Sequence, residues 1–543
     1  MENQKNRDYF KWLHRLLVFA GICLLIAWGK CGGNFSHFNG KNGRENPEDT
    51  KIAISVVETD EESGENEEGP LQEGTSPEES RERDALSRGI ENLLKGSVEM
   101  ARQILARKQD NGWEERTDNT WTGREEAPDQ EEEMPGPPVI YLLSDLHYMS
   151  ALATDYGKAF ETFEAKSDGK VIRYLPQVLD ALLEETVREK PDALVLTGDI
   201  TMNGERINHE DLARKLSKVR EAGVQVLVIP GNHDINNPDA GVYFGEKADK
   251  TDGVDPAGFW EIYGGFGPDQ AISRDEGSFS YIYELRDDIW LALLDTAQYE
   301  PRNLVEGMVR PGTMAWLEEN LQAAKEQGVQ VIVQGHHNLL SESRMFTTMC
   351  TLENGRDMVS LLERYQVPLY VSGHLHLQRT NQHKKGPGDT GYGIYEIVSD
   401  AVSIPPCQYG VLTWMENGDM DYRTRPVAVE SWAADHGETD ENLLNFSAYG
   451  EAYIRQLVEE QIKGETKQVR EKTAEEMARI YADVYADYCA GVEIDERERM
   501  RSWEYRQWEN CWPQSDLAKD LRAMIGDCSR DYNAVTVPGM GGE

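Results

Sequence analysis

Residues 193–199 read Ala-Leu-Val-Leu-Thr-Gly-Asp, an apolar run that ends in a glycine and a carboxylate. A short apolar run of this kind, bounded by glycine or proline, is typical of a fully buried strand. The glycine at 198 lets the chain turn sharply, so that Asp199 points into a cleft. The stretch therefore predicts a buried strand that presents a functional side chain at its carboxyl end.

Polar clusters follow four more apolar runs, which are predicted to be strands that end near residues 143, 229, 333 and 371. The clusters that follow them are Asp145-Leu146-His147, Gly231-Asn232-His233-Asp234, Gly335-His336-His337 and Gly373-His374-Leu375-His376. Six of the 11 histidines of the chain lie in these clusters. Because ligands gather at the carboxyl ends of strands in α/β sheets, we expect all five clusters to meet at one cleft.

The clustered side chains have the chemistry of a metal site. Carboxylate oxygens, an amide oxygen and imidazole nitrogens suit ions such as Mn, Fe or Zn. Two such ions about 3.5–4 Å apart can contact both the attacking and the leaving oxygen of an in-line displacement. The clusters therefore predict two divalent or trivalent metal ions and chemistry at a phosphate ester.

In this order, the clusters resemble the five motifs of the calcineurin-like metallophosphoesterases over residues ~138–425. The resemblance implies a four-layer αββα sandwich of the α/β class, in which helices flank two mixed sheets. It implies that His233 stabilises or protonates the leaving oxygen, and that Asp199 bridges the metals. The implied ligands of one metal are Asp145, His147, Asp199 and His376, and those of the other are Asp199, Asn232, His336 and His374.

Position 202 departs from the pattern of some family members. They have an aspartate three residues after the bridging aspartate, where it orients the catalytic histidine, whereas this chain has Met202. Asp234, Glu205 or solvent is left to orient His233. We take His233 and Asp234 as catalytic candidates and predict a metal-dependent hydrolase of phosphate esters that uses a hydroxide bridged by two metals. Monoesters, cyclic or linear diesters, nucleotides and pyrophosphate-type compounds all stay open as substrates.

Several polar side chains near the clusters have alternative explanations. His337 could donate to a metal ligand, contact substrate or pack as a core imidazole. His209 and His383 lie outside the ligand positions and are expected to be solvated or structurally bonded. Arg206 and Arg379 follow cluster residues closely, and surface positions are expected for both, although a phosphate contact is the alternative.

The chain has 543 residues and a net charge of −42, and residues 45–135 contain 27 acidic and 10 basic side chains. Residues 34–137 are therefore expected to be an acidic linker. Within it, apolar residues at helical spacing predict an amphipathic helix near 79–108. Packing on its own catalytic domain or self-association is favoured, and docking on a protein partner is the alternative. The acidic surface argues against nucleic-acid binding through charge.

Residues 1–33 are expected to be a membrane anchor or a signal segment. Basic side chains precede an apolar stretch at 16–28, which predicts a cytoplasmic amino terminus and an exported body. A membrane-anchored, extracytoplasmic enzyme is the favoured arrangement, and secretion after signal cleavage is the alternative. In the first case the acidic linker would hold the enzyme away from the membrane.

Residues 426–543 are predicted to be a helical carboxyl-terminal region. An apolar face runs through 477–489, and Thr473 with Glu476 predicts a capping box at the start of that helix. Packing as a cap on the 138–425 domain is favoured over a separate binding module at 430–530. A surface interaction protein that uses these helices, with hydrolysis secondary, is the alternative function. The tail after Tyr532 is expected to be frayed.

Overall fold

The computed structural model describes residues 136–384 and 393–539. The expected anchor at 1–33 and the amphipathic helix near 79–108 lie outside these residues. Among the helices of the described part, none combines the length and the hydropathy that a membrane crossing requires.

Two mixed sheets and one hairpin account for the strands in the described part of the chain. The strands are β1 (Val139–Leu143), β2 (Ala193–Thr197), β3 (Gln225–Ile229), β4 (Gly241–Phe244), β5 (Lys247–Lys250), β6 (Ser273–Arg274), β7 (Tyr281–Arg286), β8 (Ile289–Leu294), β9 (Gln330–Gly335), β10 (Leu369–Ser372), β11 (Arg379–Lys384), β12 (Gly393–Val398), β13 (Gln408–Trp414), β14 (Met420–Pro426) and β15 (Ala534–Val537).

The helices fall into a set between the strands and a set near the carboxyl end. They are α1 (Lys158–Glu164), α2 (Leu175–Glu189), α3 (Arg206–Glu221), α4 (Pro256–Tyr263), α5 (Pro311–Gln327), α6 (Gly355–Arg364), α7 (Val429–Asp435), α8 (Glu441–Leu444), α9 (Phe446–Glu465), α10 (Glu471–Cys489), α11 (Glu496–Arg501), α12 (Trp503–Cys511) and α13 (Asp516–Asp527).

The strand order places the strands that precede the clusters close to one another within each sheet. The first sheet has the order β15-β14-β13-β1-β2-β3, and the second has the order β11-β12-β10-β9-β8-β7-β6. Strands β1, β2 and β3 run parallel to one another. Strands β8, β9, β10 and β12 are likewise parallel. The five strands that precede the clusters thus belong to the parallel parts of the two sheets, where carboxyl ends share an edge.

Alternating side chains of the second sheet show how the layers pack. The odd-numbered side chains of β8 lie in a core shared with the first sheet. Its even-numbered side chains lie in another core with α5 and α6. Successive strand residues face opposite sides, so the second sheet is covered on both faces. Helices α2 and α3 cover the first sheet. The predicted α/β fold, with two mixed sheets flanked by helices, is confirmed.

The carboxyl-terminal helices form a core of their own against the sheet domain. Helices α9, α10, α12 and α13 contribute its buried side chains, and Leu375, Leu377 and Ile404 from the sheet domain lie in the same core. The predicted helical appendage is therefore present and packs back as a cap. Helix α10 begins at Glu471, and the Arg470 carbonyl accepts from the main-chain amides of Thr473 and Ala474. Thr473 consequently lies inside the first turn, and the predicted capping box is wrong.

The expected frayed tail is wrong for residues 534–537. These residues form β15, which pairs antiparallel with β14 at the edge of the first sheet. Val537 is fully buried there. Because strand pairing satisfies the main-chain groups and Val537 fills the core, a segment with little apolar surface is still ordered. One strand of the first sheet thus comes from beyond residue 426.

Candidate metal centre

Asp145, His147, Asp199 and His376 converge at the carboxyl ends of β1, β2 and β10. Each of these side chains offers a ligand atom, and the four atoms lie within 4.8 Å of one another. Nε2 of His147 is 2.9 Å from Nε2 of His376. Nε2 of His376 is 3.3 Å from Oδ1 of Asp145. Two imidazole nitrogens and two carboxylates that face one point make a donor set that suits Zn, Fe or Mn.

A second set of donors lies beside the first and shares Asp199. Nε2 of His336 is 3.2 Å from Oδ2 of Asp199 and 3.2 Å from Oδ1 of Asn232. Nδ1 of His336 donates to the Thr197 carbonyl at 3.0 Å, which leaves Nε2 as the ligand nitrogen. Asp199 therefore faces donors from both sets, as expected of a bridging carboxylate.

His374 joins the second set through its ring orientation. Nε2 lies 3.0 Å from the Met349 carbonyl oxygen. A carbonyl accepts only from N–H, so Nε2 carries the proton and Nδ1 is free to bind an ion. Its main-chain amide donates to Asp145 at 2.9 Å, which ties the two sets together.

The backbone at the cluster residues adopts an uncommon conformation. Five candidate ligands have positive φ angles: Asp145 at 49°, His147 at 44°, Asp199 at 48°, His374 at 70° and His376 at 54°. Non-glycine residues in the left-handed region are strained and concentrate at functional sites. At Gly231 a Cβ atom would collide with the side chain and amide of Asp199, so only glycine fits. The turns thus hold the donors in place at a cost in backbone strain.

Carboxylates and imidazoles at the centre shift one another's pKa values. Burial opposes ionisation of Asp199, but the neighbouring His336 and His233 keep its pKa well below the usual range. Burial would also lower the pKa of His336, yet Asp199 raises it to about 9. The pKa of His376 is raised to about 9 by Asp168 and Asp145, against burial and Lys170. These imidazoles take up protons when no other positive charge is near, and metal binding would release those protons.

His233 is a partly exposed cluster histidine that lies beside Asp199. Its side chain is 35% exposed, and Nε2 lies 4.0 Å from Oδ2 of Asp199. Nδ1 lies 2.8 Å from the Met202 carbonyl oxygen and 3.0 Å from Oδ1 of Asn203. The main-chain oxygen of Met202 thus takes the place of the missing aspartate. Nδ1 therefore carries a proton that it donates to these two oxygens, and Nε2 faces the centre.

The expectation that Asp234 or Glu205 orients His233 is corrected by this geometry. Oδ2 of Asp234 accepts from the main-chain amides of residues 231 and 200, and Oδ1 accepts from the Thr201 amide and hydroxyl. Burial, with Asp199 nearby, raises the pKa of Asp234 to about 7. Glu205 accepts from the Asn203 amide and the Asn208 side chain. Both carboxylates therefore hold the loops together through hydrogen bonds other than to the His233 ring, and the catalytic role expected of Asp234 stays a prediction.

His337 packs behind the second donor set. Its Nδ1 lies 2.8 Å from the Thr296 hydroxyl, and its Nε2 donates to the Val305 carbonyl at 3.0 Å. Although His337, His336 and His374 form a close cluster, both ring nitrogens of His337 are engaged elsewhere. Its ring contacts that of His374 at a centroid distance of 4.5 Å. His337 thus supports His374 as a packed, hydrogen-bonded side chain.

Other side chains differ in how well sequence reasoning placed them. His209 is buried and hydrogen-bonded to the Asp234 carbonyl at 2.9 Å, so its structural assignment is confirmed. The expected surface position of Arg379 is wrong, because it is buried against the Tyr488 ring. Sequence reasoning missed Asn203 and also Asp168, which contacts His376 at 2.6 Å. Asn203 adjoins a cluster and could have been considered, whereas Asp168 is distant in sequence and gives no local signal.

Two family models match the chain. The calcineurin-like phosphoesterase model matches residues 138–378, and a model of the C-terminal domain of cyclic nucleotide phosphodiesterase matches residues 428–531. The first includes all the converged ligand candidates, and the second includes α7 to α13.

Two curated relatives are similar to part of this chain. A 3′,5′-cyclic-nucleotide phosphodiesterase from Nostoc sp. is 24% identical over 213 residues, which are 38% of this chain and 66% of that protein. A glycerophosphodiester phosphodiesterase from Enterobacter lignolyticus is 26% identical over 200 residues, which are 37% of this chain and 61% of that protein. The chain thus spans less than two thirds of the length of either relative.

Solved structures show a distant likeness. A dimetal phosphatase from Danio rerio aligns with 16% identity and a TM-score of 0.38, covering 54% of this chain and 97% of that one. A purple acid phosphatase from yellow lupin aligns with 15% identity and a TM-score of 0.37, covering 54% of this chain and 52% of that one.

On the match of the family model, residues 138–378 of this chain are a metallophosphoesterase domain of the calcineurin-like family.

Proposed function

We propose that this chain is a two-metal phosphodiesterase that hydrolyses phosphate diesters, with 3′,5′-cyclic nucleotides as the first substrate class to test. The observation that carries the proposal is the pairing of a converged ligand set with helices 428–531, which match the C-terminal domain of cyclic nucleotide phosphodiesterase. Both curated relatives are named as phosphodiesterases, which supports a diester as substrate. Phosphomonoesters remain the competing class.

The donor chemistry fits two ions that share one carboxylate. Asp145, His147, Asp199 and His376 would hold the first ion, and Asp199, Asn232, His336 and His374 would hold the second. The Nε2 atoms of His147 and His376 face each other at 2.9 Å, so both nitrogens are directed at the place that the first ion would occupy. When bound, such ions would activate water near neutral pH and offset the charge that develops on the phosphoryl oxygens.

His233 has the geometry of a proton donor to the leaving oxygen. Acceptors at Met202 and Asn203 hold the Nδ1 proton and fix the ring. When the ring is doubly protonated, Nε2 would be the nitrogen that gives its proton to the departing oxygen, and the neutral ring with its proton on Nδ1 would remain. Burial lowers the pKa of His233, which makes the imidazolium a stronger acid but also a less populated form, and Asp199 opposes this shift.

A substrate panel and metal removal test this proposal on the full chain purified in detergent. We expect bis(p-nitrophenyl) phosphate and a 3′,5′-cyclic nucleotide to be hydrolysed faster than p-nitrophenyl phosphate. Dialysis against a chelator should abolish activity, and Mn, Zn or Fe should restore it, because the ligand set contributes little without its cation. Hydrolysis of the monoester alone would contradict the diesterase proposal. Full activity in a protein whose metal depletion is verified by elemental analysis would contradict the metal proposal.

We also propose that residues 1–33 tether the enzyme to a membrane with its body outside the cytoplasm. Basic side chains before the apolar stretch at 16–28 support this orientation. Protease added to intact cells should therefore digest the chain beyond residue 45, and deletion of residues 1–30 should release active, soluble enzyme. Protection of the body in intact cells, with digestion only after lysis, would reverse the proposed topology.

A further inference from the structure

His376 contacts a carboxylate that lies outside all five clusters. Nδ1 of His376 is 2.6 Å from Oδ2 of Asp168, in the loop between α1 and α2. The other oxygen of Asp168 accepts from Lys170 Nζ at 2.6 Å. Nε2 of His376 faces Asp145 and His147. The ring therefore bridges Asp168 on one side and the metal centre on the other.

The loop that carries Asp168 is held by the carboxyl-terminal helices. The Tyr485 hydroxyl of α10 donates to the Asp168 carbonyl at 3.0 Å. The Tyr453 hydroxyl of α9 donates to the Lys170 carbonyl at 3.2 Å. Gln461, also of α9, donates to the Ser167 carbonyl at 3.0 Å. Three side chains from the cap thus hold three main-chain carbonyls of one short loop.

Gly169 shows how closely α9 approaches this loop. Its φ is +112°, a conformation that glycine adopts readily and other residues avoid. A Cβ atom at this position would lie 3.0 Å from two side-chain carbons of Ile454. The loop therefore has both the backbone conformation and the residue that the contact with α9 requires.

The same helices also contact the chain on the other side of His376. Leu375 and Leu377 lie in the core that α9 and α10 build. The Gln378 amide donates to the Cys489 carbonyl at the end of α10, at 2.8 Å. Arg379 stacks on the Tyr488 ring at 4.3 Å. The cap consequently fixes both the loop that orients His376 and the residues that flank it.

We propose that Asp168 is a positioning residue for His376, and that the carboxyl-terminal helices complete the metal centre by holding Asp168 in place. The proposal rests on the proposed function in one respect, since it takes His376 as a ligand of the first ion. A carboxylate that accepts from the second ring N–H of a ligating histidine fixes its tautomer and orientation and makes it a stronger ligand. The contacts of α9 and α10 with this loop would thus help to position a metal ligand, and the cap is more than an independent binding module.

The direct test is Asp168→Asn in the full chain, with metal affinity as the readout. We expect the affinity for one of the two ions to fall about 10- to 100-fold while the other ion is retained. In the cobalt-substituted protein, the visible absorption of that ion should change, because the orientation of one imidazole ligand changes. A steady-state assay with saturating metal should recover most of the lost turnover with little change in KM.

Tyr485→Phe tests the contribution of the cap without altering the carboxylate. It removes one hydroxyl that holds the Asp168 carbonyl, so affinity for the same ion should fall several-fold. Tyr505→Phe is the matched control, because its hydroxyl contacts Glu509 within the cap at 3.2 Å. We expect wild-type metal affinity and a wild-type cobalt spectrum for this control.

Wild-type affinity for both ions in Asp168→Asn and in Tyr485→Phe would overturn the proposal. Equal weakening by Tyr505→Phe and Tyr485→Phe would also overturn it, since the cap would then act only through general stability. If Asp168→Asn does not fold, Tyr485→Phe against its control decides the question. Failure of the proposed function is recognised separately, because the wild-type chain would then bind fewer than two ions or hydrolyse no phosphate ester.

Discussion

Asp199→Ala is expected to abolish hydrolysis and to remove metal from both positions. The Asp199 carboxylate faces His336 at 3.2 Å and His147 at 3.9 Å, so both donor sets lose a ligand in this variant. Loss of ions that supply several kcal/mol of transition-state stabilisation should lower kcat/KM by about 10³-fold or more. Steady-state kinetics together with elemental analysis of the purified protein would measure both effects.

Asp275→Ala provides a control for the loss of a buried carboxylate elsewhere in the domain. Asp275 accepts from the hydroxyls of Ser278 and Thr313 and touches none of the candidate ligands. This variant should keep its metal and most of its turnover, even if its unfolding temperature falls. An Asp199 variant that remains active would contradict the two-metal assignment.

His233→Ala is expected to lower turnover by about 10²- to 10⁴-fold, the usual contribution of a general acid, and to leave the metal content unchanged. Its Nε2 faces the centre while Nδ1 is engaged with main-chain and side-chain oxygens. An activated aryl leaving group needs little protonation, so the loss should be much smaller on bis(p-nitrophenyl) phosphate than on an alkyl diester. Comparing kcat on the two substrates measures the effect.

Two variants separate orientation of His233 from support of the surrounding loops. Asn203→Ala removes one of two acceptors at Nδ1 and leaves the Met202 carbonyl at 2.8 Å, so a loss of about tenfold or less is expected. Asp234→Asn disturbs main-chain contacts and should reduce turnover equally on both substrates. An equal loss on both substrates for His233→Ala would remove the support for its role as an acid.

The candidate metal ligands could be anticipated because a local sequence pattern indicates each of them. A strand and a sharp turn are encoded within about ten residues, and the side chain after the turn carries the chemistry. Asp145, Asp199 and His376 were therefore placed at a shared edge from sequence alone. The support for His233 could not be anticipated in this way, since a main-chain carbonyl at Met202 has no signature in the sequence.

Contacts between distant segments account for what the sequence did not indicate. Asp168 and His376 are 208 positions apart in the sequence. Val537 belongs to β15, the edge strand of the first sheet, which pairs with β14. Arg379 is buried although arginines are mostly exposed, because rings from α10 and from Tyr532 enclose it. None of these partners is visible until the cap is folded against the sheets.

The sequence by itself determined the strands, the turns and the donor atoms of the centre, because hydrophobic patterning and turn chemistry act over a few neighbouring residues. The tertiary structure alone decided which main-chain and side-chain groups hold those donors. Only packing of the carboxyl-terminal helices against the loop at 165–171 brings Asp168 to His376. Such long-range contacts depend on the summed burial of many side chains, which no single stretch of sequence encodes.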